Sequence, residues 1–174
     1  MFNKIILVIL TMITFSYASN EFSSERILGI EVGYSTVNSP NIVGVTESKS
    51  DAEFGIRLGA QNEDWRTTIR ANFLNVQGRN YEKVMLDFDH FVWASLYKTD
   101  MIVFKPYLGA HIGWLRYTDE IISGKSGLAY GGQLGLAFNV LNEVDFDIAY
   151  RYTSTKTEGV DNMSSAVFGV NYLY

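Results

Sequence analysis

Residues 52–60 read AEFGIRLGA, and on an extended strand the two halves of this stretch point to opposite sides. Ala52, Phe54, Ile56, Leu58 and Ala60 make one face apolar, while Glu53, Gly55, Arg57 and Gly59 make the other small or charged. Period two over this length is a strand signal, and no helical register gathers the same residues onto one side. The strand therefore separates two unlike surroundings. Which of the two is the inside decides the fold.

The same partition recurs in eight segments along the chain. Before residues 52–60 the apolar parity runs Leu28, Ile30, Val32, Tyr34, and after them Trp65, Thr67, Ile69, Ala71, Phe73. A fourth segment spans residues 84–96, and Pro106, Leu108, Ala110, Ile112, Trp114 mark a fifth. The sixth and seventh are Leu128, Tyr130, Leu134, Leu136, Phe138, Val140 and Val144, Phe146, Ile148, Tyr150, Tyr152. The last is AVFGVNYLY at residues 166–174, which alternates to its final tyrosine. The connecting stretches (residues 36–50, NED, NVQGRNYEK, YKTDM, TDEIISGKSG, LNE, TSTKTEGVDNMSS) are long and short by turns, as an up-and-down meander across a layer requires.

The opposite parity carries Glu31, Glu53, Arg57, Arg66, Arg70, Asp87, Asp89, His111, Asp145, Asp147 and Arg151, with nine of the fifteen glycines interleaved among them. A soluble, lipocalin-like barrel would turn the apolar parity inward; a membrane barrel would turn it outward. Volume separates them, because eight strands enclose a space just wide enough to be filled by side chains. Some forty inward Leu, Ile, Phe, Trp and Tyr would overfill it, whereas glycines alternating with long charged residues fit. Acids and bases of both signs at mid-strand suit an internal ion-pair network. The expected fold is an all-β, eight-stranded, antiparallel up-and-down transmembrane barrel. Inside hydrocarbon only closure satisfies the strand edges, so the eighth strand should pair with the first.

With the N-terminus on the periplasmic side, Tyr34, Phe54, Phe73, Phe88, Trp114, Tyr130, Tyr152 and Phe168 should line the outer interface, and Trp65, Phe138, Phe146, Tyr172 and Tyr174 the inner one. Ahead of the barrel, Lys4 precedes an apolar run over residues 5–15 and then Ser16, Tyr17, Ala18. The run is short for a spanning helix, which needs about 20 residues, and small residues suit cleavage after Ala18. Residues 1–18 are expected to be a secretory signal peptide and residues 19–174 one barrel domain. Without Lys4 the formal balance is 13 bases against 19 acids, which argues against nucleic acid as a partner. There is no cysteine, so neither disulfides nor a thiolate metal site is available.

KPYLGAHIGW at residues 105–114, YGGQLGLAF at 130–138, FDIAYRY at 146–152 and the terminal strand resemble the small eight-stranded outer-membrane β-barrels of Gram-negative bacteria, of OmpA-like or opacity-protein type. The resemblance covers nearly all of residues 19–174. It implies residence in the outer membrane, porin-like strand architecture, and a last strand read as an address by the outer-membrane assembly machinery. Phe168, Val170, Tyr172 and Tyr174 would carry that address. Larger members continue into a peptidoglycan-binding domain, and the expectation here is a barrel alone, monomeric in outer-membrane lipid.

Each chemically suggestive feature has a structural reading beside it. His111 shares its face with carboxylates, but two histidines without HExxH-like spacing favour a place in the internal network over catalysis or metal binding. Strict alternation aims His90 at lipid, whereas a bulge near Asp89 would turn it inward and send Phe91 and Trp93 outward. Gly55 with Gly59 and Gly131 with Gly135 match GxxxG, yet that motif acts on helices and none is expected. Asp87 with Asp89 and Asp145 with Asp147 suggest a two-carboxylate hydrolase less well than partners for Arg57, Arg66, Arg70 and Arg151. No catalytic residue, metal or cofactor is expected. The expected function is a non-enzymatic scaffold displaying four external loops for surface interaction, an extracellular ligand among them, or for envelope integrity. A small channel and a lipid-modifying enzyme are the alternatives.

Overall fold

The computed structural model describes residues 24–40, 46–92, 97–98, 102–118, 124–141 and 143–174. Among them are nine strands and no helix: β1 (Glu25–Pro40), β2 (Thr46–Gln61), β3 (Trp65–Val76), β4 (Arg79–Phe91), β5 (Tyr97–Lys98), β6 (Val103–Thr118), β7 (Lys125–Leu141), β8 (Val144–Thr155) and β9 (Asn162–Leu173). β5 is a two-residue strip laid on β6. The other eight pair antiparallel with their neighbours, β4 pairs directly with β6, and β9 returns to β1. The sheet is thus a closed eight-stranded barrel. At the seam the register runs from Ile27↔Leu173 to Asn38↔Asn162, and the Tyr174 N–H donates to the Arg26 carbonyl at 3.1 Å.

One parity holds from end to end of each strand. In β3 every even residue from Arg66 to Val76 is buried, and in β4 every odd residue from Tyr81 to Phe91. Outward stand Leu28, Ile30, Ile56, Ile69, Leu108, Leu134 and Ile148, each between a third and two thirds exposed. So continuous an apolar belt far exceeds the few hundred Å² a soluble monomer leaves in one patch. Charge is inside and hydrocarbon outside, which excludes the lipocalin-like alternative.

The belt has edges. At the end away from the termini the outward parity turns polar: Ser48 donates to Asn38, Asn38 to Asn162, and Asn75 to Asn80, while the Thr36 and Ser50 hydroxyls lie 2.8 Å apart. At the other end Trp65 packs on His90 with ring centroids 4.4 Å apart, Phe104 on Phe138 at 6.0 Å, and Tyr172 on Tyr174 at 5.9 Å.

Several expectations are corrected. The fourth segment is Arg79–Phe91, not residues 84–96, and NVQGRNYEK is no loop but two strand ends joined by a two-residue turn, Gln77–Gly78. The apolar alternation that defines a strand stops at Phe73 because the outward residues beyond it, Asn75, Asn80 and Glu82, have left the hydrocarbon. For the same reason β1 and β2 run on to Pro40 and from Thr46, well into the stretch expected to be loop. Phe88 lies opposite Thr67, two pairs from Trp65↔His90, so it belongs to the lower half of the barrel rather than to the outer girdle. No bulge interrupts β4: His90 faces outward, its Nδ1–H donating to the Asp64 carbonyl at 3.0 Å, and Phe91 faces inward. Trp93 lies outside the described residues.

Candidate functional site

Strand parity delivers three layers of side chains into the lumen. Nearest the termini, Phe91, Tyr107, Ala137 and Ala149 form a small apolar cluster on which the Arg66 guanidinium rests, 4.3 Å from the Tyr107 ring centre and 5.6 Å from that of Phe91. Arg66 donates to Asp89 at 2.9 Å and to Asp147 at 2.5 Å, and the Tyr107 hydroxyl donates to Asp147 at 2.6 Å. Asp145 is held by amides, from Gln61 at 2.9 Å and Asn139 at 2.7 Å. The expectation that both carboxylates of the Asp145 and Asp147 pair meet arginines therefore holds for Asp147 alone.

The middle layer centres on Glu31. It accepts from Arg57 at 2.5 Å, from both terminal nitrogens of Arg151 at 2.6 and 2.9 Å, and from Asn72 at 2.6 Å. Arg57 also approaches Asp147 at 3.4 Å, tying this layer to the one below. Arg70 forks onto Asp87 at 2.8 and 2.9 Å, and Gln133 bridges Asp89 at 2.5 Å to Arg151 at 2.8 Å. Glu53 accepts from Lys83 at 2.8 Å and from the Ser35 hydroxyl. His111 Nε2 lies 2.9 Å from the Thr153 hydroxyl. All eleven residues expected in an interior network are buried. Bidentate, charge-assisted bonds of this kind are what offset the desolvation of buried ions.

Lys83 is a buried charged participant missed from sequence, alongside the neutral partners Ser35, Gln61, Tyr107 and Asn139. It sits in NVQGRNYEK, read as loop, so its inward parity carried no weight; extending the alternation of Met85 and Asp87 back two steps would have found it. With Lys83 the buried inward charges among the described residues are six acids, Glu31, Glu53, Asp87, Asp89, Asp145 and Asp147, against five bases, Arg57, Arg66, Arg70, Arg151 and Lys83. The unmatched acid is amide-held Asp145.

Above the ions the lumen turns apolar. Val37, Leu74, Val76, Tyr81, Met85, Leu115, Tyr117, Ala129, Val160 and Met163 form one buried cluster, with Tyr81 and Tyr117 stacked 5.2 Å apart. Val160 comes from the β8–β9 connection, which folds over the barrel mouth: the Lys156 N–H donates to Leu128, the Asp161 N–H to Asn38, and the Thr157 hydroxyl to Leu115. The expected external loop TSTKTEGVDNMSS is therefore mostly strand plus a short lid, and the second expected loop is a tight turn. Two of the four expected display loops are not free segments. The inward glycines make room for the network: a Cβ on Gly169 would lie 2.6 Å from the Arg57 guanidinium, and one on Gly109 would meet the Asp89 carboxylate.

Chemically, the lumen can hold charge in place, and the described residues offer no open cleft to it. Hydroxyls that stand beside a base, such as Thr153 on His111 and Ser35 on Glu53, are buried in the lumen. Among the described residues no group of three or more His, Cys, Asp or Glu is placed to hold a metal ion. Phe168, Tyr172 and Tyr174 point outward from β9, with Val170 on the same face but less exposed.

A closed antiparallel barrel with an apolar belt outside and ion pairs inside defines an integral β-barrel membrane protein, because only such closure satisfies every backbone group in hydrocarbon. The sequence matches the family described as outer membrane protein beta-barrel domain over residues 5–174, and the chain belongs to that family of the outer membrane. Among solved structures it is similar to Neisserial surface protein A, at 17% identity over 88% of this chain and 100% of that one, with a TM-score of 0.72. It is also similar to the N-terminal β-barrel domain of Pseudomonas aeruginosa OprF, at 12% identity over 87% and 100%, with a TM-score of 0.55. A weaker likeness is to the outer membrane enzyme PagL, at 13% identity over 84% and 98%, with a TM-score of 0.46. No curated protein sequence matches. At such identities the likeness is one of fold, and fold alone does not assign an activity.

Proposed function

We propose that this chain is a non-catalytic outer-membrane scaffold: a barrel closed to ion flow, holding an extracellular rim rigidly for surface interaction or for the integrity of the envelope. The observation that carries the reading is the stratified lumen, an aromatic-backed ion cluster, a second ion layer and an apolar stopper stacked along one narrow tube. An ion crossing in either direction must pass both the paired charges and a dry constriction, and hydrophobic constrictions stop conduction by excluding water. The rim would be presented by rigid strands, the arrangement in which recognition commonly resides.

Residues 1–18 act in this reading as an export signal, and Phe168, Val170, Tyr172 and Tyr174 as the assembly address of a monomeric barrel in outer-membrane lipid. The deciding experiment is single-channel recording in planar bilayers. The scaffold reading expects no steady current; reproducible, long-lived conductance replaces it with the channel reading.

A further inference from the structure

The barrel wall is uneven at its outer rim. β1 and β2 stay paired from Tyr34↔Ala52 out to Pro40↔Thr46, but β2 and β3 begin to pair only at Glu53↔Leu74, and β3 turns back at Gln77. Among the described residues, residues 46–52 of β2 therefore carry β1 on one edge and no strand on the other. In an antiparallel ladder successive residues direct their backbone groups to alternate edges. The Ala52 N–H bonds the Asp51 side chain at 2.7 Å instead of β1, so Ala52, and by alternation Ser50 and Ser48, present N–H and C=O to the open side.

Where β2 and β3 diverge lies a notch of about 390 Å³, lined by Ala52, Phe54, Phe73, Leu74 and Tyr81 with Asp51 and Glu82 at its rim. Glu82 makes a loose contact with Arg116, at 3.8 Å, and both are more than half exposed. Open edge, apolar recess and acidic rim are contiguous. An edge of this kind is a template for another strand unless something covers it.

We propose that the open edge of β2 over residues 46–52, with the adjoining notch, accepts an extended peptide segment of a partner protein as an added strand, the segment carrying Lys or Arg next to an apolar side chain. Backbone pairing to Ser48 and Ser50 supplies alignment, the apolar side chain enters between Phe54 and Phe73, and the cation meets Asp51 and Glu82. Strand addition takes affinity from main-chain bonds and specificity from alternate side chains. As the incoming strand reaches Ala52 it displaces the Asp51 carboxylate from that N–H, freeing it for the cation. This deepens the scaffold reading, on which it rests, by naming the mode of recognition and the chemistry of the partner.

The test uses the full barrel in phosphatidylcholine nanodiscs, with an acetylated, amidated heptapeptide alternating lysine and valine as probe. Saturable binding is expected, with slowed amide exchange at Ser48 and Ser50. Ser50→Pro, which removes an outward N–H without breaking the β1 ladder, should weaken it at least tenfold. Ser50→Ala, which loses only the hydroxyl contact with Thr36, should not. Asp51→Asn with Glu82→Gln should weaken the lysine peptide tenfold. Absence of saturable binding, equal binding by Ser50→Pro, or equal binding of a backbone N-methylated peptide overturns strand addition. Conductance recorded on the same preparation judges the scaffold reading separately, since a silent barrel that ignores the peptide loses only the present proposal.

Discussion

At the scale of single residues, facing decides what a substitution costs. Gly131 and Gly132 are neighbours in β7, yet a Cβ on Gly131 would strike the Tyr152 carbonyl and lie 2.7 Å from His111 Nε2, whereas at Gly132 its nearest neighbour is the Gly109 carbonyl at 3.4 Å. Gly131→Ala should therefore destabilise by about 1–3 kcal/mol, the usual range for overpacking, and Gly132→Ala by less than about 0.5 kcal/mol in a urea refolding titration from lipid. Leu134, outward at mid-strand, should lose about 2–4 kcal/mol as Arg, while Ser164→Arg, beyond the belt edge, should lose less than about 1 kcal/mol. Equal costs for the two glycines would overturn the facing, and equal costs for the two arginines would overturn the position of the belt edge. This much was legible in the sequence, because the bilayer imposes a sharp contrast on alternate residues and AEFGIRLGA displays it without ambiguity. The individual partnerships were not. That Asp145 is held by Gln61 and Asn139 depends on which inward side chains share a level across the lumen, and level follows from strand tilt and register.

At the scale of elements, strand existence was plain and strand ends were not, since apolar alternation reports the membrane and not the strand. β3 and β4 pair to Val76↔Arg79 through residues whose outward parity is polar. Their turn has φ of 53° at Gln77 and 80° at Gly78, the pair of left-handed residues that a two-residue hairpin matching strand twist needs. A side chain in that region costs about 1–2 kcal/mol, so Gly78→Val should lower stability by about that much, and Gln77→Asn should recover part of the strain already present. Thermal or denaturant melts of the two variants check the opposite signs. The β8–β9 lid has its own fastening: Lys125 donates to Glu158 at 2.7 Å, and this ammonium holds the Glu158 carboxyl below the ordinary glutamate range. A depressed acid stabilises the folded form above its unfolded pKa and ceases to do so as pH falls through the folded one. The protection of amides 156–161, relative to the intrinsic exchange rate at each pH, should accordingly fall as pH drops below the ordinary glutamate range, and Glu158→Gln should make that protection low and independent of pH there.

At the scale of the whole molecule, the ion layers and the apolar stopper lie in series along one axis, so the more resistant of them governs flow. Removing Arg151 deprives Glu31 of two bonds and Gln133 of one of its two partners, but Glu31 keeps Arg57 and Asn72, so the cost should stay below the roughly 3–5 kcal/mol of a fully stranded buried charge. It leaves Val37, Leu115, Met163 and the rest of the apolar cluster untouched. Arg151→Gln alone should therefore give a weakened barrel that still carries no steady current. Opening only the stopper, with Leu115→Ser and Met163→Ser, exposes the intact ion pairs to water without removing them, and should likewise remain silent. The combined variant should conduct, and its currents should exceed the sum of the two parents, because the stopper is then open and the ion layer beneath it loosened. Recording all three in planar bilayers, with folding verified by the heat-modifiable mobility of the barrel, checks this. Steady conduction in the Arg151→Gln variant by itself would show that the apolar layer is wet and that the ion network alone closes the lumen.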